Sequence, residues 1–296
     1  MLTNKLHSNK VFCIAIFILA IGFLHAQETV KLVILHTNDT HSQVEPTDLT
    51  ARYPDMGGYA RRMGMIEKIR AEEPHVLLLD AGDYWQGSPY FNFFNGRIEI
   101  DAMNRMKYDA AILGNHEFDN GVDTLISVLS TAKFPVLCAN YEISNKALAK
   151  IIKPYQIIKR GGVKIGVFGL SVKLDGLVMA DNFKGVVYND PVEAAIQMSD
   201  YLKNEQKCDV VICLSHLGVF EKDGTIAEYN NIVTDFNIAT ATRCVDVVIG
   251  GHSHSLIENA TVPNADGKPV VIAQMGKSGL YLGRIDLVLE EDLDNK

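Results

Sequence analysis

Five short blocks of the chain carry residues able to bind a metal ion. They are "NDTH" (Asn38 to His41), "DAGD" ending at Asp83, "GNHEFD" (Gly114 to Asp119), "SHLG" with His216, and "GHSH" with His252 and His254. Carboxylate, carboxamide and imidazole without thiolate suit Mn²⁺, Zn²⁺ or Fe rather than a structural zinc or a calcium cage. Asp39 and His41 lie two residues apart, as do His252 and His254, so each pair can point the same way from extended backbone. Asp83 is the natural carboxylate to bridge two ions. Singly, an aspartate after a strand is a turn former and a lone histidine is structural. Here the histidines gather: of nine in the chain, all but His7, His25, His36 and His75 fall in these blocks. His36 has the opposite pleat parity from Asp39 and His41 and is assigned to the core; His75 is likewise given no site role.

Each block terminates an apolar run that must position it. "VKLVILH" (Val30 to His36), "HVLLLDAGD" (His75 to Asp83), "DAAILGNHE" (Asp109 to Glu117), "KIGVFGLS" (Lys164 to Ser171), "CDVVICLSHLG" (Cys208 to Gly218) and "VDVVIGGHSH" (Val245 to His254) are nearly continuous in apolar residues. Continuous apolarity marks strands buried on both faces, as in parallel sheets covered by helices. Chemistry in such sheets gathers outside the carboxyl ends of the strands. Gly250 and Gly251, just before His252, let the backbone turn and come close to a site.

Between the strands, "GGYARRMGMIEKIRAEE" places Tyr59, Met63 and Ile66 on one helical stripe. In "DPVEAAIQMSDYLKNE", Asp190 is an N-cap, Pro191 the first helical residue and Glu193 the partner in a capping box. Val192, Ala195, Ile196 and Leu202 of that helix are expected to face the sheet. "KPVVIAQMG" and "YLGRIDLVL" read as closing strands, and "EEDLDNK" as a solvated tail. Without an internal repeat or low-complexity linker, the expectation is a single α/β domain from about Gln27 to the end.

Residues 1–26 read as a secretory signal peptide. Lys5 and Lys10 form the basic region, and "VFCIAIFILAIGFL" (Val11 to Leu24) is too short for a membrane span. Cleavage after Ala26 is expected, with residues 27–296 as the exported catalytic domain, periplasmic or secreted, free of the membrane and without a lipidated cysteine. Losing two lysines takes the formal charge from −8 to −10. With no basic cluster to neutralise phosphates, tight nucleic-acid binding is excluded. Cys138, Cys208, Cys213 and Cys244 match no thiolate metal site. They are read as buried small hydrophobes; Cys208 and Cys244, which open similar strands, are the one candidate bridge.

The order D-x-H, G-D, G-N-H-E, H, G-H-x-H resembles the calcineurin-like metallophosphoesterases. "ILHTNDTHS", "GDYWQGS" and "GNHEFDNG" resemble more narrowly the 5′-nucleotidase branch, which includes bacterial UDP-sugar hydrolases and 2′,3′-cyclic phosphodiesterases. The likeness runs from Val30 to about Leu289. It implies a four-layer α/β/β/α sandwich, two divalent metal ions, and a metal-bridging hydroxide attacking a nucleotide or related phosphomonoester. By the same resemblance Asp39, His41, Asp83 and His254 form one metal site, and Asp83, Asn115, His216 and His252 the other. His116 with Asp119 matches the catalytic pair. The alternative within this chemistry is a phosphodiesterase or sugar-nucleotide pyrophosphatase. Members of the branch carry a C-terminal domain whose aromatic pair and arginines grip the substrate, and the sequence shows no counterpart. Either that domain is a separate polypeptide that docks here, or the core acts alone. Trp85, Tyr84 and Phe91 are assigned to packing at the sheet edge rather than to a stacking surface. All ligands and His116 are present, which argues against a non-catalytic scaffold.

Overall fold

The computed structural model describes residues 29–222, 225–229 and 232–290; the signal peptide and its cleavage point lie outside them. Two six-stranded sheets organise the chain. The first runs, edge to edge, through Gly283–Glu290, Thr29–Thr37, Val76–Asp80, Ala110–Ile112, Val136–Leu137 and Ile152–Lys153. The second runs through Leu256–Pro263, Pro269–Met275, Val247–Ile249, Val210–Ser215, Val163–Leu170 and Tyr155–Arg160. The central strands are parallel, with Thr37 opposite Asp80 in one sheet and Leu214 opposite Ile249 in the other. Their carboxyl ends therefore emerge on a common edge.

Three apolar cores separate four layers. Leu32, Ile34, Leu77, Leu79, Ile165 and Ile212 fill the space between the sheets. Val33, Leu35, Ile66, Ile100 and Leu125 pack the first sheet against helices Tyr59–Glu72, Arg97–Met106 and Gly121–Leu129. Ala195, Leu202, Val211 and Ile238 pack the second sheet against helices Pro191–Asp200 and Asp235–Ala241. Alternate residues of one strand, such as Val33 and Ile34, serve different cores, which is why these strands read as continuously apolar. The four-layer α/β/β/α sandwich is thus present.

Local expectations divide. Tyr59 and Ile66 are buried and Met63 half-buried on their stripe. Asp190 accepts the amides of Val192 and Glu193 as an N-cap. Glu193 does not complete a capping box; its carboxylate accepts from Gln197 Nε2 at 3.2 Å. Ile196 is 38% exposed, because the helix meets the sheet through Ala195, Ser199 and Leu202. All four described cysteines are free, and Cys244 is half-buried rather than buried, so no bridge joins it to Cys208. His36 is a core histidine, fully buried and pushed down to about 4 by burial. Gly283 lies opposite it in the register; a side chain there would collide with the imidazole. Trp85, Tyr84 and Phe91 pack inside the first helical core. Among the described residues no helix is long and apolar enough to cross a membrane.

Candidate metal centre

All nine candidate residues meet at the common strand edge. The segment after Thr37 turns through Asp39 and His41, both in the left-handed region at φ 47° and 46°. Asp83, His252 and His254 are also left-handed, at 55°, 73° and 55°. Such a conformation costs a side-chain-bearing residue energy and persists only where surroundings impose it. Here those surroundings are cross-ties: Asp39 N–H donates to Gly82 O at 2.9 Å, and His41 N–H to Asp83 O at 3.0 Å. His252 N–H donates to both Asp39 oxygens at 3.1 and 3.0 Å.

Three groups of donor atoms converge within 4.8 Å: Asp39, His41 and His254; His41, Asp83 and His116; and Asp83, His216 and His252. His41 Nε2 and His254 Nε2 face each other at 3.0 Å, with Asp39 Oδ1 at 3.5 Å from the latter. On the other side, His216 Nε2 lies 3.0 Å from Asp83 Oδ2, and His252 Nδ1 lies 3.1 Å from Asn115 Oδ1. His216 Nδ1–H donates to Ala81 O at 2.7 Å, which turns Nε2 inward. That nitrogen is buried beside two carboxylates, Asp83 at 3.0 Å and Asp39 at 3.9 Å. Lone pairs aimed at one another across such short gaps fit a cation between them. Asp83 belongs to two of the groups, as a shared ligand would.

Charge concentrates at the same place. Burial works against the charged forms of Asp83 and His216, but each charge favours the other, holding Asp83 well below the usual carboxylate range and raising His216 to about 10. Burial and the nearby His216 push His252 down to about 4, leaving its ring free to donate a lone pair. His116 Nδ1 lies 2.8 Å from Asp119 Oδ2 beside this cluster, and its ring is 5.3 Å from that of His41. Asn182 Nδ2–H ties the Asp119 carbonyl at 2.7 Å.

The paired glycines before His252 have a spatial reason. A Cβ at Gly251 would lie 2.7 Å from both Ala81 O and His216 Nδ1, where no real Cβ fits. Gly114 sits similarly, with its virtual Cβ 2.7 Å from His216 Nε2.

Supporting residues emerge that spacing alone did not mark. Glu117, fully buried, accepts the backbone amides of Gly114 at 2.6 Å, Asp83 at 3.0 Å and Trp85 at 3.1 Å. One carboxylate thereby joins the Asp83 loop to the Asn115 loop. Asn38 aims Asp39, donating to its Oδ2 at 2.6 Å while accepting Met275 N–H at 2.8 Å. Gln274 holds the GHSH turn, accepting Ser255 N–H at 2.6 Å and donating to Gly251 O at 2.8 Å. Gln274 was visible only as the polar residue inside "VVIAQMG". Glu117→Ala leaves three buried amides without an acceptor, at about 1–3 kcal/mol each. The variant is expected to melt at least roughly 6–12 °C below the parent. A midpoint within about 2 °C in a calorimetric scan would contradict the clamp.

Comparison with known proteins places this geometry. The family model described as calcineurin-like phosphoesterase matches residues 32–256. The chain is 34% identical to the snake venom 5′-nucleotidase of Crotalus adamanteus over 302 residues, covering 95% of this chain and 48% of the relative. It is similar to the crystal structure of a 5′-nucleotidase precursor from Thermus thermophilus, with TM-score 0.77 and 32% identity, covering 87% of this chain and 51% of that one. It is also similar to the crystal structure of the calcineurin-like phosphoesterase YfkN from Bacillus subtilis, with TM-score 0.71 and 30% identity, covering 90% of this chain and 87% of that one. The chain thus spans about half the length of the first two and most of the third. With the sandwich, the convergent Asp, Asn and His donors and these likenesses together, the chain belongs to the calcineurin-like phosphoesterase family, whose members use divalent metals.

Proposed function

We propose that residues 27–296 form the catalytic unit of an exported two-metal phosphohydrolase, 5′-nucleotidase-like, acting on nucleotides and related phosphomonoesters. The observation that carries this reading is Asp83 shared between two sets of donors, with the His116–Asp119 pair alongside. Asp39, His41, Asp83 and His254 would hold one divalent ion, and Asp83, Asn115, His216 and His252 the other. Oxygen and nitrogen donors without thiolate suit Mn, Zn or Fe. When bound, the ions acidify water and neutralise charge on the phosphoryl oxygens. The chain's own residues do the rest. Asp119 accepts from Nδ1 of His116 and fixes the ring, which leaves Nε2 as the donor to the phosphoryl group or the leaving alkoxide. Glu117 and Gln274 keep the ligand loops at fixed separation. Export rests on the basic and apolar leader at residues 1–26.

A second reading, the catalytic half of a two-chain assembly, is favoured by one feature. Near the Asp119 side of the mouth, Phe93 is 79% exposed, Met179 73%, Leu177 48% and Phe94 47%. Helix Pro89–Phe94 is joined to that side through the Asn95–Asn120 hydrogen bond, and Asn182 binds Asp119. A separate substrate-binding domain would cover such a surface.

The deciding experiment compares phosphate release from 5′-AMP with cleavage of an aryl phosphodiester by the Mn²⁺-loaded protein. AMP turnover exceeding diester cleavage is the expected result. Diester or UDP-sugar cleavage without AMP turnover would replace the nucleotidase reading by the diesterase or pyrophosphatase. Activity arising only on adding a separately made C-terminal domain would establish the two-chain form.

A further inference from the structure

Of the paired glycines before His252, Gly251 makes room for a carbonyl and an imidazole, and Gly250 makes room for a carboxylate. A Cβ at Gly250 would collide with Asp235 Oδ2 and lie 3.1 Å from Gln274 Nε2. One at the adjoining Gly251 would lie 2.7 Å from His216 Nδ1 and 3.2 Å from Asp39 Oδ2. A wall one glycine step thick therefore stands between the Asp235 carboxylate and two candidate metal ligands.

Asp235 is firmly placed. It opens the helix Asp235–Ala241, its N–H donates to Gly218 O at 2.8 Å, and the preceding Thr234 forms a capping box with Asn237. The side chain is fully buried, and neither carboxylate oxygen has a hydrogen bond among the described residues. Burial pushes the carboxyl up to about 8, and the Ser215 hydroxyl and His216 imidazole offset this only in part. Glu117, also fully buried beside the ligands, differs in having three backbone amides to satisfy it. A buried acid without such donors costs stability unless a positive charge answers it. The donor set indicates which charge. Two divalent ions bring four positive charges, whereas the ligand carboxylates Asp39 and Asp83 return two.

We propose that Asp235 is a buried counter-charge of the metal centre: across the Gly250–Gly251 step its carboxylate raises the affinity for a divalent ion held by His216 and His252, without ligating it. This rests on the two-metal reading and extends it to a residue outside the donor set. With backbone rather than water between them, a carboxylate and a dication so close attract strongly.

The test uses the complete protein as the parent, Asp235→Asn and Asp235→Ser, each stripped of metal and titrated calorimetrically with Mn²⁺. In both variants one of the two Mn²⁺ dissociation constants is expected to rise about 10-fold to 100-fold. The melting midpoint of the metal-free protein is expected to hold or rise, because a neutral side chain costs less to bury. A merely structural residue would not give that opposition. A metal-free midpoint lowered by more than about 4 °C along with the affinity would mean that Asp235 only supports the turn, and would overturn the proposal. Unchanged Mn²⁺ affinity overturns it too, as does failure of both neutral variants to fold; if only the asparagine form misfolds, the serine form gives the same two readings. Binding is measured without turnover, so a protein that takes up Mn²⁺ as expected but hydrolyses no phosphoester removes only the phosphohydrolase reading. A parent that binds no Mn²⁺ overturns both.

Discussion

Asp83→Ala is expected to lower AMP hydrolysis by about 10³-fold or more and to reduce the bound metal below two equivalents. The size follows from position. Asp83 contributes to two of the three donor groups, whereas His254 or His252 contributes to one. Its Oδ1 also accepts the His116 backbone N–H at 2.9 Å, so the substitution loosens the residue assigned to proton donation. It further strips the fully buried His216 of the carboxylate 3.0 Å from Nε2. His254→Ala, which touches only one group, should lose one ion and keep the other. Metal content is read by inductively coupled plasma mass spectrometry on protein dialysed against a low-affinity chelator. Two retained equivalents in Asp83→Ala would end the shared-ligand assignment, whatever happened to rate.

His116→Ala should behave differently: about 10²–10⁴-fold slower turnover with metal content unchanged. The ring is 31% exposed and the Asp119 side chain 27%, so the pair faces the mouth rather than the core. Burial works against a charge on His116, but the hydrogen bond to Asp119 and the nearby Asp83 charge outweigh it and raise its pKa. A raised pKa keeps a proton available for a leaving alkoxide. Asp119→Asn retains an acceptor for Nδ1 while removing the charge, so its loss should be smaller than that of His116→Ala. Single-turnover rates, paired with metal analysis, separate the two effects. A His116→Ala protein that lost metal in proportion to rate would move His116 into the ligand set, a role its place in the His41–Asp83–His116 group allows.

The strands and the site edge were readable because their cause is local. Val33 and Ile34 face different cores, and the resulting apolar run survives in the sequence. The metal-capable blocks were readable because chemistry needs particular side chains at strand ends. The four layers came from resemblance, since nothing in an apolar run says which sheet it joins. Leu256–Pro263 was not recognised as a strand: "LIENATVP" is an edge with a bulge between Ile257 and Ala260, and its exposed residues mix Leu256 and Pro263 with Glu258, Asn259 and Thr261, which blurs the alternation. Ile196 was misplaced because a helical stripe tolerates a rotation of one residue, and only the partners Ser199 and Leu202 settle it. Glu117 binds three backbone amides, and Asn38 and Gln274 each tie backbone groups as well as a neighbouring side chain; backbone partners have no side-chain identity and therefore leave no spacing rule.

The left-handed backbone at Asp39, His41, Asp83, His252 and His254 has a consequence for how such a chain changes under selection. Each of these positions holds an L-residue where glycine would be more comfortable by about 1–2 kcal/mol. Glycine there would relieve the strain but would also remove the acceptors that Asp39 offers to His252 N–H and Asp83 to His116 N–H, together with any stabilisation conferred by bound metal. Strain and ligand chemistry thus reside in the same side chains, so laboratory evolution toward thermal endurance has no easy route through these five positions.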